Sequence, residues 1–265
     1  MKEINLPQHH IIHKIMKISN LHQPYIFKHN NNINIIVSEF TNQRFSFKFG
    51  EDDIFEDYWK LCLLDSNLNK TTITTPNIIS YENFDYEVIA ECNGFIYENK
   101  ISYVIGVHKM IDQEPLKYFL VEGDFDINNT TVNNLTIKDT VRTGFIKNDK
   151  YILDVKSNDI IMNDNVTIFD CSPYLENVVR IIPIHEQNKI LFTGEIENNF
   201  KTFIVDLDTN VVSNVESINQ SNIYKSSIYD DGINKLFAYT DKVFMGETQT
   251  EYVLNIEDNY VLNNQ

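Results

Sequence analysis

Gly94-Phe95-Ile96-Tyr97-Glu98-Asn99-Lys100-Ile101-Ser102-Tyr103-Val104-Ile105 and Gly144-Phe145-Ile146-Lys147-Asn148-Asp149-Lys150-Tyr151-Ile152-Leu153-Asp154-Val155 follow one scheme and lie 50 residues apart. Each is a short apolar strand, a tight polar turn rich in Asn, Asp and Lys, and a second apolar strand, which is the chemistry of a β-hairpin. The scheme returns at Pro24 to Val37, Pro183 to Phe192 and Ser227 to Phe237, so five hairpins divide the 265 residues. A third strand follows each, usually stopping at an aspartate: Tyr58 to Asp65, Leu116 to Asp124, Val166 to Asp170 and Thr202 to Asp206. The fifth, Glu251 to Leu254, runs into Asn255. A fourth run, such as Thr71 to Ile73, Leu135 to Ile137 or Val211 to Val215, completes most units.

Helical periodicity is nearly absent, so the pattern is all-β. A four-stranded sheet this small cannot bury both faces alone, and repeated units of this kind pack face to face around an axis. The expected fold is therefore all-β, a single five-bladed β-propeller of four-stranded antiparallel blades. The blades span roughly 21–75, 86–138, 141–181, 182–216 and 223–265. Ile11 to Ile18 is a β-like run without a unit of its own, expected to pair with the last blade and close the ring, which removes an exposed edge. Failing that, Tyr260-Val261-Leu262 supplies the outer strand. The acidic insertion Phe49 to Asp57 is expected to project as a loop. A two-sheet sandwich is the competing architecture.

Composition bounds the function. Acidic residues outnumber basic ones 38 to 22, a net charge of −16, and such a field repels phosphate backbones and anionic membranes. Nucleic acid and membrane are excluded as expected partners. The N-terminus, Met1-Lys2-Glu3-Ile4-Asn5, carries no basic region with an apolar core behind it, so a cytoplasmic or virion-associated chain, not secreted by a signal peptide, is expected. Cys62, Cys92 and Cys171 are odd in number and sit in apolar segments, as reduced core residues do. No Cys-x-x-Cys, phosphate loop, Gly-x-Ser-x-Gly elbow or His-Glu-x-x-His occurs.

Units opening with Pro24-Tyr25-Ile26-Phe27 and Gly94-Phe95-Ile96-Tyr97 resemble the five-bladed propellers of the arabinanase, fructosidase and related furanosidase-like group. The resemblance implies a central funnel lined by the starts of the innermost strands. It also implies catalytic carboxylates before the Pro-aromatic start of the first blade, in the second blade and in the third. The corresponding positions here are Gln23, Asn93 and Arg142-Thr143, none of which is a carboxylate. Glycoside hydrolysis needs one carboxyl group as acid and another as base or nucleophile, so no catalytic residue is assigned and the chain is expected not to be an enzyme.

The funnel set is then His22, Gln23, Glu91, Asn93, Arg142 and Thr143, a candidate ligand site of donors and acceptors. No cofactor or metal is expected. Asp124-Phe125-Asp126-Ile127-Asn128 and Asp206-Leu207-Asp208-Thr209-Asn210 begin like calcium loops but lack the required Gly and Glu. His9, His10 and His13 read as a solvated terminal segment, and Trp59 as core. The expected role is a binding or assembly module for a protein partner or glycan, with a virus or phage structural component as one setting. The alternatives are a glycan-binding protein, which needs an exposed aromatic near His22 and Asn93, or a glycoside hydrolase using displaced carboxylates such as Glu91, Glu39 or Glu195.

Overall fold

The structure is a computed structural model, and it describes residues 18–19, 21–49, 52–109, 117–140, 144–147, 150–155, 159–162, 167–185, 187–197, 199–216, 223–245, 249–258 and 260–264. Strand β1 is Ile18–Ser19. The first sheet holds β2 (Leu21–His29), β3 (Asn32–Phe49), β4 (Asp52–Leu64) and β5 (Lys70–Thr72). The second holds β6 (Ile78–Tyr81), β7 (Phe84–Tyr97), β8 (Lys100–Lys109), β9 (Lys117–Asp126) and β10 (Thr131–Asp139). The third holds β11 (Phe145–Lys147), β12 (Lys150–Val155), β13 (Asp159–Met162) and β14 (Thr167–Asp170). β15 (Asn177–Pro183), β16 (Lys189–Ile196), β17 (Asn199–Asp206) and β18 (Val212–Glu216) form the fourth, and β19 (Ile223–Asp230), β20 (Lys235–Met245) and β21 (Gln249–Asp258) the fifth. The last strand, β22 (Val261–Asn264), returns to the fourth sheet.

Within each sheet the strands follow one another antiparallel in chain order, as successive hairpins dictate. Local chemistry sets the turns. Asn30-Asn31 and Glu82-Asn83 both have positive φ at two consecutive residues, the backbone that a two-residue hairpin turn requires and that Asn tolerates best. The strands ending at Asp65, Asp126 and Asp206 stop for a second reason. In each, the carboxylate accepts backbone N–H groups two to four residues on, closing the turn.

Each sheet packs on the next in order, and the fifth packs on the first. Most seams carry a specific polar bond. Leu61 N donates to Glu91 Oε2 at 3.0 Å between sheets one and two, and Ile146 N donates to Ser102 Oγ at 3.0 Å between two and three. Ser226 Oγ lies 2.7 Å from Thr193 Oγ1 between four and five, and Ile26 N donates to Ser227 Oγ at 3.2 Å between one and five. The third and fourth sheets meet through rings instead, Phe169 against Phe192 at 5.6 Å. Tyr25, Phe95, Phe145, Ile182 and Ile228, all on the first-paired strands, belong to one apolar cluster that joins the sheets.

Five expectations change. The Phe49 to Asp57 insertion is not a loop: β3 and β4 continue pairing out to Phe49 and Asp52 as a long ribbon. In the third unit, the described part of the expected third strand, Thr167 to Asp170, falls at the fourth position, because Asp159–Met162 supplies an extra one before it. The fourth sheet opens at Asn177, not at 182, since Asn177 to Pro183 already pairs with β16. Tyr260-Val261-Leu262 does not complete the last unit; β22 pairs with β18 and extends the fourth sheet. The second sheet opens at Ile78, not at 86, so two of the five sheets have five strands. Ile18 and Ser19 pair with Leu254 and Val253 on β21, while 11–17 lie outside the described residues.

Candidate functional site

Besides a shift on β7 between Val88 and Ala90, the strands β2 and β7 break register between His22 and Tyr25 and between Cys92 and Phe95. The extra residues are the two positions singled out in the sequence. Gln23 and Asn93 both adopt a left-handed backbone, with φ of 57° and 55°. This costs little for Asn but is uncommon for Gln, and bulges of this kind re-aim a side chain. They meet: Gln23 Oε1 accepts from Asn93 N at 2.7 Å and from Ser38 Oγ at 3.2 Å, bridging the first two sheets. Both are buried, and Asn93 Oδ1 has no hydrogen-bond partner.

His22 is buried one residue earlier, with its ring 4.4 Å from Tyr252 and 5.4 Å from Trp59. Trp59 also contacts Phe40 and Tyr252 at 5.5 and 5.6 Å. Trp59, Phe40 and Tyr252 are each only partly buried, so Trp59 is not the core residue expected. The β3–β4 ribbon and the β6–β7 hairpin both extend from this same end of the inner strands, so the bulges sit at the foot of two projections.

Glu91 does not join the cluster as expected of a funnel residue. It is fully buried, its carboxylate accepts from Leu61 N and the Thr75 hydroxyl, and Lys60 Nζ lies 3.4 Å away. Both oxygens are committed to the first sheet. Glu39 is likewise engaged, by Lys70 and by Cys62 Sγ at 3.3 Å. Arg142 and Thr143 lie outside the described residues, as do His9, His10 and His13. The two calcium-like runs serve as turns: Asn129 Nδ2 and two backbone N–H groups bond to Asp126, and Asp206 accepts from Asp208 N and Thr209 N.

The sequence reading missed Arg180. It sits on β15 opposite Thr193 and is 1% exposed, yet none of its three guanidinium nitrogens has a hydrogen-bond partner. Burial lowers its pKa to about 9, so it stays charged at neutral pH. Cys92, which belongs to the second sheet while Arg180 belongs to the fourth, works against that lowering. Burial above all, and then the Glu91 charge, push the Cys92 thiol up to about 11 against the pull of Lys225 and Arg180. Cys92 is nevertheless partly accessible, unlike the buried Cys62 and Cys171 and contrary to the expected core role. The available signal was a single Arg inside the apolar run Val178-Val179-Arg180-Ile181-Ile182.

At the other end of the inner strands is a cavity of about 700 Å³, lined by Tyr25, Phe27, Phe95, Tyr97, Phe125 and His185 among others. The Tyr25 hydroxyl lies 3.3 Å from both the Ile96 carbonyl oxygen and His185 Nδ1, which ties sheets one, two and four together there.

No protein-family profile matches the chain, and no curated protein matches it. Solved structures do match. A mutant Trypanosoma rangeli sialidase displaying trans-sialidase activity is 11% identical over 90% of this chain and 44% of its own, with a TM-score of 0.42. The Trypanosoma rangeli sialidase in complex with sialic acid is 10% identical over 90% of this chain and 44% of its own, with a TM-score of 0.43. The chain thus spans less than half the length of these sialidases. The catalytic domain of a Coprinopsis cinerea GH62 α-L-arabinofuranosidase is 10% identical over 90% of this chain and 91% of its own, with a TM-score of 0.42. These matches are glycosidases, which overturns the expectation of a chain without enzymatic activity. A likeness this distant assigns no substrate and no catalytic residue; what it leaves standing is an all-β chain of several antiparallel sheets with propeller-like neighbours.

Proposed function

We propose that the five sheets are the blades of one ring-closed propeller, with β1 as the outer strand of the last, and that this propeller is directed at carbohydrate. The ring is supported by the packing of the fifth sheet on the first and by the pairing of Ile18 with Leu254. The observation that carries the carbohydrate reading is the aromatic group at the bulged end. Trp59, Phe40 and Tyr252 are partly exposed; Trp59 and Tyr252 pack on His22 and Phe40 on Trp59, next to Gln23 and its bond to Asn93. Sugars present an apolar C–H face and a rim of hydroxyls. An aromatic ring takes the first, and an unpartnered acceptor such as Asn93 Oδ1 takes a donor from the second.

The test uses the chain's single tryptophan as reporter. Saccharides from a neutral panel are titrated while Trp59 emission is followed, and reducing-sugar release is measured in parallel. A saturable change in emission, weakened about tenfold by Asn93→Ala through loss of about 1.4 kcal/mol, is the expected result. Release of reducing sugar adds hydrolysis to binding and directs attention to Glu91, Glu39 and Glu195. No change in emission with any neutral saccharide, and no release, ends the carbohydrate reading.

A further inference from the structure

We infer that the cavity at the end of the inner strands away from Gln23 and Asn93, together with the hollow that continues from it, receives a basic peptide segment anchored by one aromatic side chain. The inference is independent of the carbohydrate reading, which concerns the opposite end. Shape is the first support. His29, Glu98, Asn99, Phe125 and Ile127 line both the cavity of about 700 Å³ and a second hollow of about 510 Å³, so the two form one groove. The hollow reaches Asp124, Asp126 and Asn133, and Phe125 N donates to the Asn99 carbonyl oxygen at 2.8 Å, which holds the β9–β10 turn against the β7–β8 turn. From β7 to β10 the groove crosses three strand spacings, about 14 Å, which an extended chain covers in about four residues. A single small ring would fill only one end of it.

The apolar end supplies the anchor point. Tyr25, Phe27 and Phe95 are buried and close its floor, with the Tyr25 and Phe95 rings 4.9 Å apart, while Tyr97 and Ile127 are only half-buried beside them. An aromatic side chain laid there covers apolar surface and meets ring edges. Charge selects the rest of the ligand. Lys28 and Lys100 line the groove, but each is already matched, Lys28 by Asp231 at 3.2 Å and Lys100 by Glu122 at 3.1 Å. Among the described residues no cation pairs with Glu98, Asp124 or Asp126, and the Asn129 side chain and backbone N–H groups keep the Asp126 carboxyl ionised. The groove beyond its aromatic end is therefore negative, and arginine side chains complement it by forking onto carboxylates.

The test is calorimetric titration of the full chain with acetyl-Phe-Gly-Arg-Gly-Arg-amide, with the same peptide carrying Ala for Phe, and with the same peptide carrying Gln for both Arg. The first binds saturably, and each of the others binds weaker by about tenfold or more. Glu98→Gln with Asp124→Asn, both at exposed positions, weakens the first peptide by about tenfold. The charge-matched pair Glu82→Gln with Glu216→Gln, exposed elsewhere, leaves its affinity unchanged. Trp59 emission, at the opposite end, does not respond to the peptide. No saturable binding of the first peptide overturns the inference, and so does equal binding of the Ala or the Gln peptide. Equal weakening by the two double variants also overturns it, since attraction by net charge alone would produce that. A Trp59 response that saturates with the peptide moves binding to the bulged end and overturns it too. If Glu98→Gln with Asp124→Asn fails to fold, the three peptides and the Trp59 signal decide.

Discussion

Replacing Glu91 separates the two roles a buried carboxylate can have in this fold. Its side chain is fully buried and accepts from Leu61 N at 3.0 Å and from the Thr75 hydroxyl, with Lys60 Nζ at 3.4 Å, so it acts as a clamp between the first two sheets. Glu91→Ala leaves a buried Leu61 N–H without an acceptor, removes charge-assisted bonds and opens a cavity, a combined cost of about 3–5 kcal/mol. Glu91→Gln keeps one acceptor for Leu61 N, and the Thr75 hydroxyl can turn to accept from the new amide. It loses only the charge and gains an N–H facing Lys60, about 1–2 kcal/mol. Urea unfolding followed by circular dichroism measures both as midpoint shifts at constant slope, with Ala several times larger than Gln. Reducing-sugar release, if the wild type shows any, falls in Gln no further than its folded fraction does. A Glu91→Gln protein of wild-type stability that has lost release entirely refutes the clamp and makes Glu91 a catalytic carboxylate.

Two further outcomes follow from the same geometry. A Cβ at Gly194 would collide with the Asn177 carbonyl oxygen and lie 2.9 Å from Leu175 Cδ1, so Gly194→Ala destabilises by about 3 kcal/mol in urea unfolding, and an unchanged midpoint contradicts the β15–β16 register. The Asp126 carboxyl is lowered by the Asn129 side chain and then by backbone N–H groups, and that of Asp170 by Ser172. Their stabilisation is therefore complete above the unfolded value near pH 4 and is lost as pH falls through the lower folded values. Asp126→Ala with Asp170→Ala flattens the acid limb of a stability profile below about pH 4, and a limb as steep as wild type contradicts those turns.

The hairpins were legible because turn chemistry is local. Asn30-Asn31 needs two positive φ values between apolar strands, and that demand is written in the residues themselves. The aspartate stops were legible for the same reason, since Asp65 and Asp126 bond to N–H groups within four residues. The misplaced elements depend on partners distant in sequence. Nothing in Val261-Leu262-Asn263-Asn264 says that its edge is β18 and not β21, because both offer short polar-flanked strands. At the site, Gln23 and Asn93 were found as equivalent positions of a repeat, whereas Glu91 was assigned to the funnel on strand parity with Asn93. The register break between Cys92 and Phe95 and the partners of Glu91 in the first sheet show why parity alone was too coarse a guide. Arg180 was hidden by the apolar run around it, which reads as an ordinary core strand.

The net charge takes on a different meaning once the residues are placed. Acidic side chains serve at the turns, where Asp65, Asp126, Asp170, Asp206 and Asp231 accept backbone N–H groups, while Arg180 and Lys225 are buried. The surface field therefore repels anions at long range, and the low-dielectric interior attracts them at short range. A polyanion such as a nucleic acid would have to bring many charges against the acidic rim to place one beside either buried cation.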